Sequence, residues 1–306
     1  MSNPQGDAEP MPRDESILSA DGIELKGWSW RQSKGSARGV LVIAHGYGEH
    51  SGNYAPLAEA LGPTLGLDVL AFDFRGHGRS PGRRGWLRRY EEMLDDLKGA
   101  LVWADRNLRR TGEPIFLLGH SNGGLVCLRT LLAGTGGVAV AGLILSNPTT
   151  RVAVPVPAWK LGLAGVLRRY APWVALSSAL QPEMLTSDPL RREARRNDLA
   201  CHDRITAPLY FGMIEAGEDV LARAGEIEVP TLLLLGEADP IIDPDAGRLL
   251  FDRLGTADKT LCSYPGMRHE PFNEVGRRQV LRDVQDWLDC RLPPHRDRGS
   301  VTDFGS

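Results

Sequence analysis

Residues 115–132 have the sequence IFLLGHSNGGLVCLRTLL, which joins a short apolar run, a glycine-rich turn and a helical pattern. The run at 115–118 has the length and composition of a buried strand, and the apolar residues after position 124 recur with helical spacing. Gly119-His120-Ser121-Asn122-Gly123 between them matches the pattern G-x-S-x-G in the setting that it requires. Such a sharp turn leaves no room for a Cβ at Gly119 and Gly123, and it holds Ser121 strained and exposed. We therefore predict that Ser121 is a nucleophile.

The other apolar runs indicate the class of fold. Residues 40–44, 69–72, 143–145 and 231–235 are short and apolar on both alternating faces, as strands of a parallel sheet covered on both sides are. Amphipathic helical patterns occupy residues 90–107 and 280–288. This alternation predicts an α/β fold with a mostly parallel, doubly wound sheet, whose ligand site lies at the carboxyl ends of the strands.

The chain departs from this alternation between residues 148 and 228, where prolines and an amphipathic series occur without a clear strand. A long structureless connection would be unusual in a compact domain, so we predict a helical cap there. Residues 16–147 and 229–292 are then the core. Residues 1–15 and 293–306 lack apolar periodicity and are predicted to be flexible ends.

Composition excludes several classes of protein. The 306 residues include 42% hydrophobic residues, enough for a sizeable core, and 36 Lys plus Arg against 39 Asp plus Glu give a net charge of −3. A nearly neutral chain without a binding motif is not expected to bind nucleic acid. The four cysteines are too sparse for a disulfide framework or a CxxC metal site. With no secretory signal and no apolar stretch of about 18 residues, we expect a soluble, cytoplasmic protein.

A serine nucleophile needs a base and an acid that orients the base, and in this class of fold they follow in the order Ser, acid, His. The run at 231–235 leads into Gly236-Glu237-Ala238-Asp239, so we predict Asp239 as the acid, with Glu237 and Asp243 as competitors. Residues 260–264 form the next predicted strand, and His269 follows it after the Pro265-Gly266 turn. His269 is the predicted base.

Acyl transfer also requires N–H groups that stabilise the negative oxygen of the tetrahedral intermediate. We predict the backbone N–H groups of Asn122, which follows the nucleophile, and of Tyr47, in the glycine-rich segment His45-Gly46-Tyr47-Gly48. A simple glycine-rich turn is the alternative for that segment. Neither an H-E-x-x-H motif nor paired Cys/His spacing occurs, so we predict no metal site.

Four segments carry a resemblance to a known family. HGYGEHSGNY at 45–54, DFRGHGRSPG at 73–82, GHSNGG at 119–124 and His269-Glu270 resemble the α/β-hydrolases of the monoacylglycerol lipase and lysophospholipase group, which are S33-like hydrolases. The resemblance extends from about residue 17 to 292. It implies a serine hydrolase that cleaves carboxylic esters without metal or organic cofactor, beneath a cap that covers an acyl-chain tunnel. The group more often carries methionine at the position of Asn122, whose amide we expect to add polarity to the pocket.

Together these observations favour a hydrolase of single-chain lipid esters, either a monoacylglycerol lipase or a lysophospholipase. A short-chain carboxylesterase is the closest alternative, and a non-catalytic binding module on a hydrolase scaffold is the alternative from another class. Trp159, Leu163, Val166 and Leu167 in the cap are interpreted as a pocket roof, an outward interfacial patch or part of a core. With Arg168 and Arg169 beside them, they suggest weak peripheral contact with a membrane surface. The oligomeric state is not predicted.

Overall fold

A computed structural model describes residues 11–33 and 37–294. Its main sheet has the strand order β1-β2-β4-β3-β5-β6-β9-β10, in which β1 and β2 are antiparallel to their neighbours and the other strands are parallel. The strands of this sheet are β1 Arg13–Leu18, β2 Glu24–Trp30, β3 Gly39–Ala44, β4 Leu67–Phe72, β5 Ile115–His120, β6 Gly142–Ser146, β9 Thr231–Gly236 and β10 Lys259–Tyr264. The predicted α/β class and mostly parallel sheet are confirmed.

Helices cover both faces of the sheet. They are α1 Ala55–Leu65, α2 Glu91–Asn107, α3 Asn122–Ala133, α4 Ala158–Tyr170, α5 Pro182–Leu185, α6 Pro189–Asn197, α7 Ala207–Arg223, α8 Pro244–Arg253 and α9 Arg277–Asp289. One buried apolar cluster joins the sheet to α2, α3, α7 and α8, and a second joins the other face to α1 and α9. The fully buried strands β3, β4, β5, β6 and β9 lie between the two clusters, as their continuous apolar runs predict.

The predicted N-terminal boundary was wrong. Arg13, Asp14 and Glu15 belong to β1, although residues 1–15 were predicted to be flexible. In β1 only Ile17 is buried, and in β2 buried residues alternate with partly buried ones, so neither strand is continuously buried as a central parallel strand is. The remainder of that predicted N-terminal end, residues 1–10, and the tail from residue 295 onward lie outside the described residues.

The predicted cap differs from the structure in two ways. Two short strands, β7 Ala175–Ser177 and β8 Arg204–Thr206, pair in an antiparallel sheet inside the segment where no strand was predicted. In addition, the buried face of α7 belongs to the core cluster, with Leu209 and Val220 among its members. We therefore use the name cap for residues 151–206 only. Nowhere in the described residues is a helix both long enough and apolar enough to cross a bilayer.

Candidate active site

Ser121 stands between β5 and α3 in a conformation that few residues adopt. Its φ is 51° and its ψ is −122°, a strained geometry for a residue with a side chain. A Cβ at Gly123 would lie 2.2 Å from the carbonyl oxygen of Ala44, and one at Gly119 would lie 2.6 Å from the Cα of Gly124. The turn is therefore possible only with glycine at both positions, as the sequence predicts.

The structure brings the three predicted catalytic side chains together. His269 Nε2 lies 2.8 Å from Ser121 Oγ, and His269 Nδ1 lies 2.7 Å from Asp239 Oδ2. Asp239 follows β9 and His269 follows β10, so both come from carboxyl ends of neighbouring parallel strands. All three residues are buried. A hydroxyl, an imidazole and a carboxylate in this order can move a proton away from the hydroxyl as it attacks a carbonyl.

The two competing acids make other contacts. Glu237 pairs with Arg248, and Asp243 accepts from the N–H of Asp245 at 3.0 Å, which makes it the N-terminal cap of α8. Neither has a hydrogen bond to His269 among the described residues. Asp239 is thus the carboxylate in line with the imidazole.

Hydrogen-bond donors stabilise the negative charge of Asp239, and this charge in turn raises the pKa of His269. Burial opposes ionisation of Asp239, but the contact with His269 and the hydrogen bonds to its oxygens lower its pKa. Its Oδ1 accepts from the N–H groups of Ile241 and Ile242 at 2.8 and 3.1 Å. Burial also disfavours the imidazolium of His269, but the Asp239 carboxylate outweighs it and raises the pKa of His269 above its ordinary value.

Asn147 supports the acid and was missed in the sequence. It follows β6 with a left-handed φ of 42°, donates from Nδ2 to Asp239 Oδ2 at 2.5 Å, and accepts at Oδ1 from Gly236 N–H at 2.9 Å. The available signal was its place directly after a buried strand, since polar residues at strand carboxyl ends form the site in such folds. Thr149, also missed, has its hydroxyl 3.3 Å from Ser121 Oγ.

Of the two predicted oxyanion donors, Asn122 directly follows Ser121 and Tyr47 lies in a segment that approaches it. Asn122 is the first residue of α3, where the N–H has no partner within the helix. The segment containing Tyr47 approaches closely, because a Cβ on Gly46 would lie 3.2 Å from Ser121 Cβ. The Asn122 side chain does not line the cavity: its Oδ1 accepts from Tyr90 at 2.7 Å and its Nδ2 contacts Met93 Sδ at 3.4 Å. The expectation that this amide adds polarity to the pocket was therefore wrong.

The motif at 73–82 fixes the loop that carries Tyr47. The N–H of Phe74 donates to His45 Nε2 at 3.1 Å, and Asp73 Oδ1 accepts from the N–H of Ser51 at 2.7 Å. Arg75 pairs with the fully buried Asp96 at 2.6 Å. The first two contacts hold the chain before and after Tyr47, and the ion pair anchors the motif itself.

Ser121 opens into a cavity of about 490 Å³ between the core and the cap. This volume is in the range of sites for small organic ligands. Most of the cavity wall is apolar; it includes Val152, Val154, Leu161, Ala164, Leu167, Leu176, Leu180, Leu185, Ile205, Met213, Ile241 and Ile242. Polar side chains gather in a second group, formed by Glu49, His120, Arg195, Asp198 and Glu270. The site can therefore hold an apolar chain and a polar group at the same time.

Two groups of side chains in the described residues have ligand-type atoms within 4.8 Å of one another, His50 with Asp198 and Cys201, and Glu49 with His120 and Glu270. In the first, His50 Nδ1 accepts from Gly52 N–H at 3.1 Å, and Nε2 lies 2.7 Å from Asp198 Oδ2. Both ring nitrogens of His50 thus have partners within the protein. The Arg195 guanidinium lies 3.0 Å from Cys201 Sγ and also acts electrostatically on Glu49 and Glu270. A positively charged side chain of the protein is therefore next to both groups.

Comparison with known proteins gives concordant results. The family model "Serine aminopeptidase, S33" matches residues 35–276. The monoacylglycerol lipase of Mycolicibacterium smegmatis is 35% identical over 256 residues, which cover 83% of this chain and 89% of that protein. The human monoglyceride lipase is 29% identical over 284 residues, 90% of each chain.

A solved structure supports the same assignment. The crystal structure of the monoacylglycerol lipase of Paleococcus ferrophilus has a TM-score of 0.78 and 34% identity, and the match covers 88% of this chain and 100% of that one. The resemblance recognised in the sequence is thereby confirmed. The chain belongs to the serine aminopeptidase S33 family and has the α/β-hydrolase fold.

Proposed function

We propose that this protein is a carboxylic ester hydrolase that cleaves esters of single-chain lipids, monoacylglycerols above all, through an acyl-enzyme on Ser121. The observation that carries the proposal is the hydrogen-bonded series Ser121, His269 and Asp239 at the floor of a largely apolar cavity. Relatives that are named monoacylglycerol or monoglyceride lipases support it. A binding module would have no need for this series of three groups.

The reaction follows from the contacts of the site. His269 Nε2 takes the proton of Ser121 as Oγ attacks the ester carbonyl, and Asp239 holds His269 in the tautomer with the proton on Nδ1. The N–H groups of Tyr47 and Asn122 stabilise the oxyanion. His269 then gives its proton to the leaving alcohol, and a water activated by the same imidazole releases the fatty acid.

The polar group of the cavity favours a neutral alcohol over a phosphate. Arg195 provides one positive charge, but the buried Glu49 and Glu270 stand beside it. Burial opposes the charge of Glu49, but His120, then Arg195, and a hydrogen bond with Glu270 lower its pKa, so this carboxylate is ionised at pH 7. An anionic head group would add a second negative charge next to Glu49, and Arg195 is the one cation of that group. Glycerol hydroxyls, in contrast, can donate to Glu49 and accept from Arg195.

We expect long chains and neutral head groups to be preferred. With p-nitrophenyl esters, kcat/KM should be about tenfold higher for octanoate or decanoate than for acetate, because added methylenes replace water in the apolar cavity. A monoacylglycerol should be cleaved at least about tenfold faster than a lysophosphatidate of the same chain. The measurement is a set of initial rates below the critical micelle concentration. Activity confined to acetate and butyrate would instead identify a short-chain carboxylesterase.

Variants of α4 provide a matched control for that experiment. Ala164 lines the cavity, while Val166, two residues later, is exposed on the outer surface. Ala164→Phe should fill space and lower activity toward decanoate while activity toward acetate is retained. Val166→Phe should change neither the activity toward decanoate nor the activity toward acetate. If both variants have the same chain-length profile as the unaltered protein, the acyl chain does not lie beneath α4.

We also propose that the outer face of α4 touches the lipid surface from which substrate enters. Of the apolar residues of α4, Leu161, Ala164 and Leu167 line the cavity, whereas Trp159, Val166 and Tyr170 are 67%, 56% and 69% exposed. The helix is therefore apolar both toward the cavity and toward solvent, with Lys160 and Arg169 among its basic residues. Apolar and basic residues together are the composition of helices that lie at a membrane interface.

Replacing Trp159, Val166 and Tyr170 by serine should abolish this contact. In flotation with vesicles containing anionic lipid, the bound fraction should fall by at least about tenfold, because each apolar side chain contributes roughly 1.5 to 3 kcal/mol on burial and about 1.4 kcal/mol is a tenfold change. Val275→Ser, which removes an exposed apolar residue outside the cap, is the control and should bind as before. Absence of binding by the unaltered protein would remove the proposal.

A further inference from the structure

Two buried carboxyl groups lie beside the candidate catalytic side chains and take no part in the proton transfers described above. Glu49 is 5% exposed and belongs to the loop that carries Tyr47, here called the oxyanion loop (residues 45–49). Glu270 is 8% exposed and directly follows His269 in the histidine loop (residues 265–270). One carboxylate oxygen of each and Nε2 of His120 lie within 4.8 Å of one another. The pair therefore joins the two loops on which the proposed chemistry depends.

Glu49 is bound firmly to its own loop. Its Oε2 accepts from the N–H of Gly46 at 3.1 Å and from the hydroxyl of Tyr54 at 2.8 Å. Gly46 immediately precedes Tyr47, the predicted oxyanion donor. A shift of the Glu49 carboxylate would therefore move the backbone that stabilises the oxyanion.

His120 does not provide a proton to the two carboxyl groups. Its Nδ1 lies 3.0 Å from the carbonyl oxygen of Ser146, which can only accept, so the proton is on Nδ1. Its Nε2 then presents a lone pair, lies 3.8 Å from Glu49 Oε1, and has no hydrogen-bond partner in the described structure. Burial lowers the pKa of His120 to about 4, so the ring is neutral at pH 7. Three acceptor atoms thus face one another, and they can be hydrogen-bonded only if one of them carries a proton.

The surrounding charges do not compensate two carboxylates. The titratable and charged groups around the pair are His45, Tyr54, His120, Arg195 and His269 and, across a smaller cavity of about 60 Å³, Arg191 and Arg277. Of these, Arg195 is the cation whose charge acts on both Glu49 and Glu270. Burial, followed by the charge of Glu49, raises the pKa of Glu270. Glu270 is therefore the member of the pair that retains the proton.

We propose that Glu49 and Glu270 share one proton and thereby hold the oxyanion loop against the histidine loop, as positioning residues for Tyr47 and His269. The inference rests on the proposed function, since its consequence is measured in ester hydrolysis. With the proton present, a hydrogen bond between the two carboxyl groups keeps both loops in place. When the proton is lost at higher pH, two like charges face each other in a buried site and the loops separate. The smaller cavity, lined by Glu49, His120 and Glu270, lies against the pair on the side of Arg191 and Arg277.

Glu270→Gln tests the proposal because glutamine resembles the protonated acid in size, remains neutral at every pH and keeps a donor for Glu49. For the unaltered protein, kcat toward p-nitrophenyl butyrate should fall by about tenfold on the alkaline side as the shared proton is lost. For Glu270→Gln, kcat at pH 7 should remain within about threefold and the alkaline decrease should be absent. Glu270→Ala should lower kcat by about 30-fold at every pH with little change in KM, because a displaced oxyanion donor acts on the transition state.

Glu274→Gln is the matched control. Glu274 is equally buried and lies nearby, but it accepts from the N–H groups of Ser187 and Arg268 and does not face Glu49. Its substitution should leave both limbs of the pH profile where they are. An alkaline limb in Glu270→Gln that equals that of the unaltered protein would overturn the proposal, as would a loss of kcat as large as in Glu270→Ala.

A second measurement does not depend on the activity of a variant. The infrared difference between unaltered protein and Glu270→Gln at pH 7 should contain the carbonyl stretch of a protonated carboxylic acid, and this band should disappear over the same pH range as kcat. Its absence at pH 7 would refute a shared proton. Failure of the proposed function itself has a different signature, namely no ester hydrolysis and no labelling of the unaltered protein by a fluorophosphonate.

Discussion

Replacing Ser121 by alanine is expected to lower kcat for ester hydrolysis by about 10⁶-fold, the loss typical of removing the nucleophile from such a triad. The reason is that, among the described residues, Ser121 Oγ is the hydroxyl that forms a hydrogen bond with His269 Nε2. Thr149, whose hydroxyl lies 3.3 Å away, has no hydrogen bond to His269 and cannot replace it. Alanine fits the turn, so the fold should be retained.

A fluorophosphonate probe measures this expectation directly, since it forms a covalent bond only with an activated serine. The unaltered protein should be labelled, Ser121→Ala should not, and Ser263→Ala, which changes an exposed serine of β10, should be labelled as before. Labelling that persists in Ser121→Ala would place the nucleophile elsewhere. An unaltered protein that neither reacts with the probe nor cleaves esters would be a binding module on a hydrolase scaffold.

The turn at Ser121 could be predicted because its constraints are steric and local. Gly119 and Gly123 are required by backbone atoms that the flanking strand and helix place there, so the residue pattern alone reports the geometry. The order of Asp239 and His269 along the chain and their positions after strands could also be predicted. Continuous apolar runs identified β3, β5, β6 and β9 for a similar reason, since both faces of these strands are covered.

The edge strands could not be predicted in this way. β1 has a single buried residue and β2 has partly buried residues between buried ones, and the sequence of β1, RDESIL, resembles that of a solvated terminus. β7 and β8 are three residues long and pair across 26 intervening residues, 178–203, so no local pattern marks them. Their existence depends on pairing across the fold, which residue patterns do not report.

The buried polar residues that support the site could not be predicted from the sequence either. Asn147 and Glu270 each follow or adjoin a recognised feature, but many polar residues end strands without contacting a catalytic group. Asn147 acquires its role because β6 lies beside β9, which brings it to Asp239. Glu270 acquires its contact because the oxyanion loop and the histidine loop meet in space although they are separated by more than two hundred residues. Only the strand order of the sheet determines such encounters.

The second large effect is expected for Asp239→Asn, which should lower kcat by about 10⁴-fold, as a change of tautomer does in a serine triad. Asp239 Oδ1 accepts from two backbone N–H groups, and Oδ2 accepts from Asn147 Nδ2 and lies against His269 Nδ1. Asparagine has a single side-chain oxygen, so it can replace only one of these two acceptor oxygens. If that oxygen takes the place of Oδ1, the amide NH₂ faces His269 Nδ1, which must then accept a hydrogen bond. The imidazole proton is then on Nε2, so this nitrogen can no longer take the proton of Ser121.

The pH profile separates this explanation from simple loss of structure. Hydrolysis requires neutral His269, so kcat/KM rises with pH through the pKa of His269, which the Asp239 carboxylate holds above its ordinary value against the effect of burial. In Asp239→Asn that charge is gone while burial remains, so the acidic limb should move to lower pH although the plateau is far lower. Asp243→Asn is the control, because Asp243 caps α8; it should keep the original limb and nearly full kcat. If Asp243→Asn lost activity and Asp239→Asn did not, the acid of the triad would be Asp243. The carboxylate that caps α8 in this structure would then be the one that orients the imidazole.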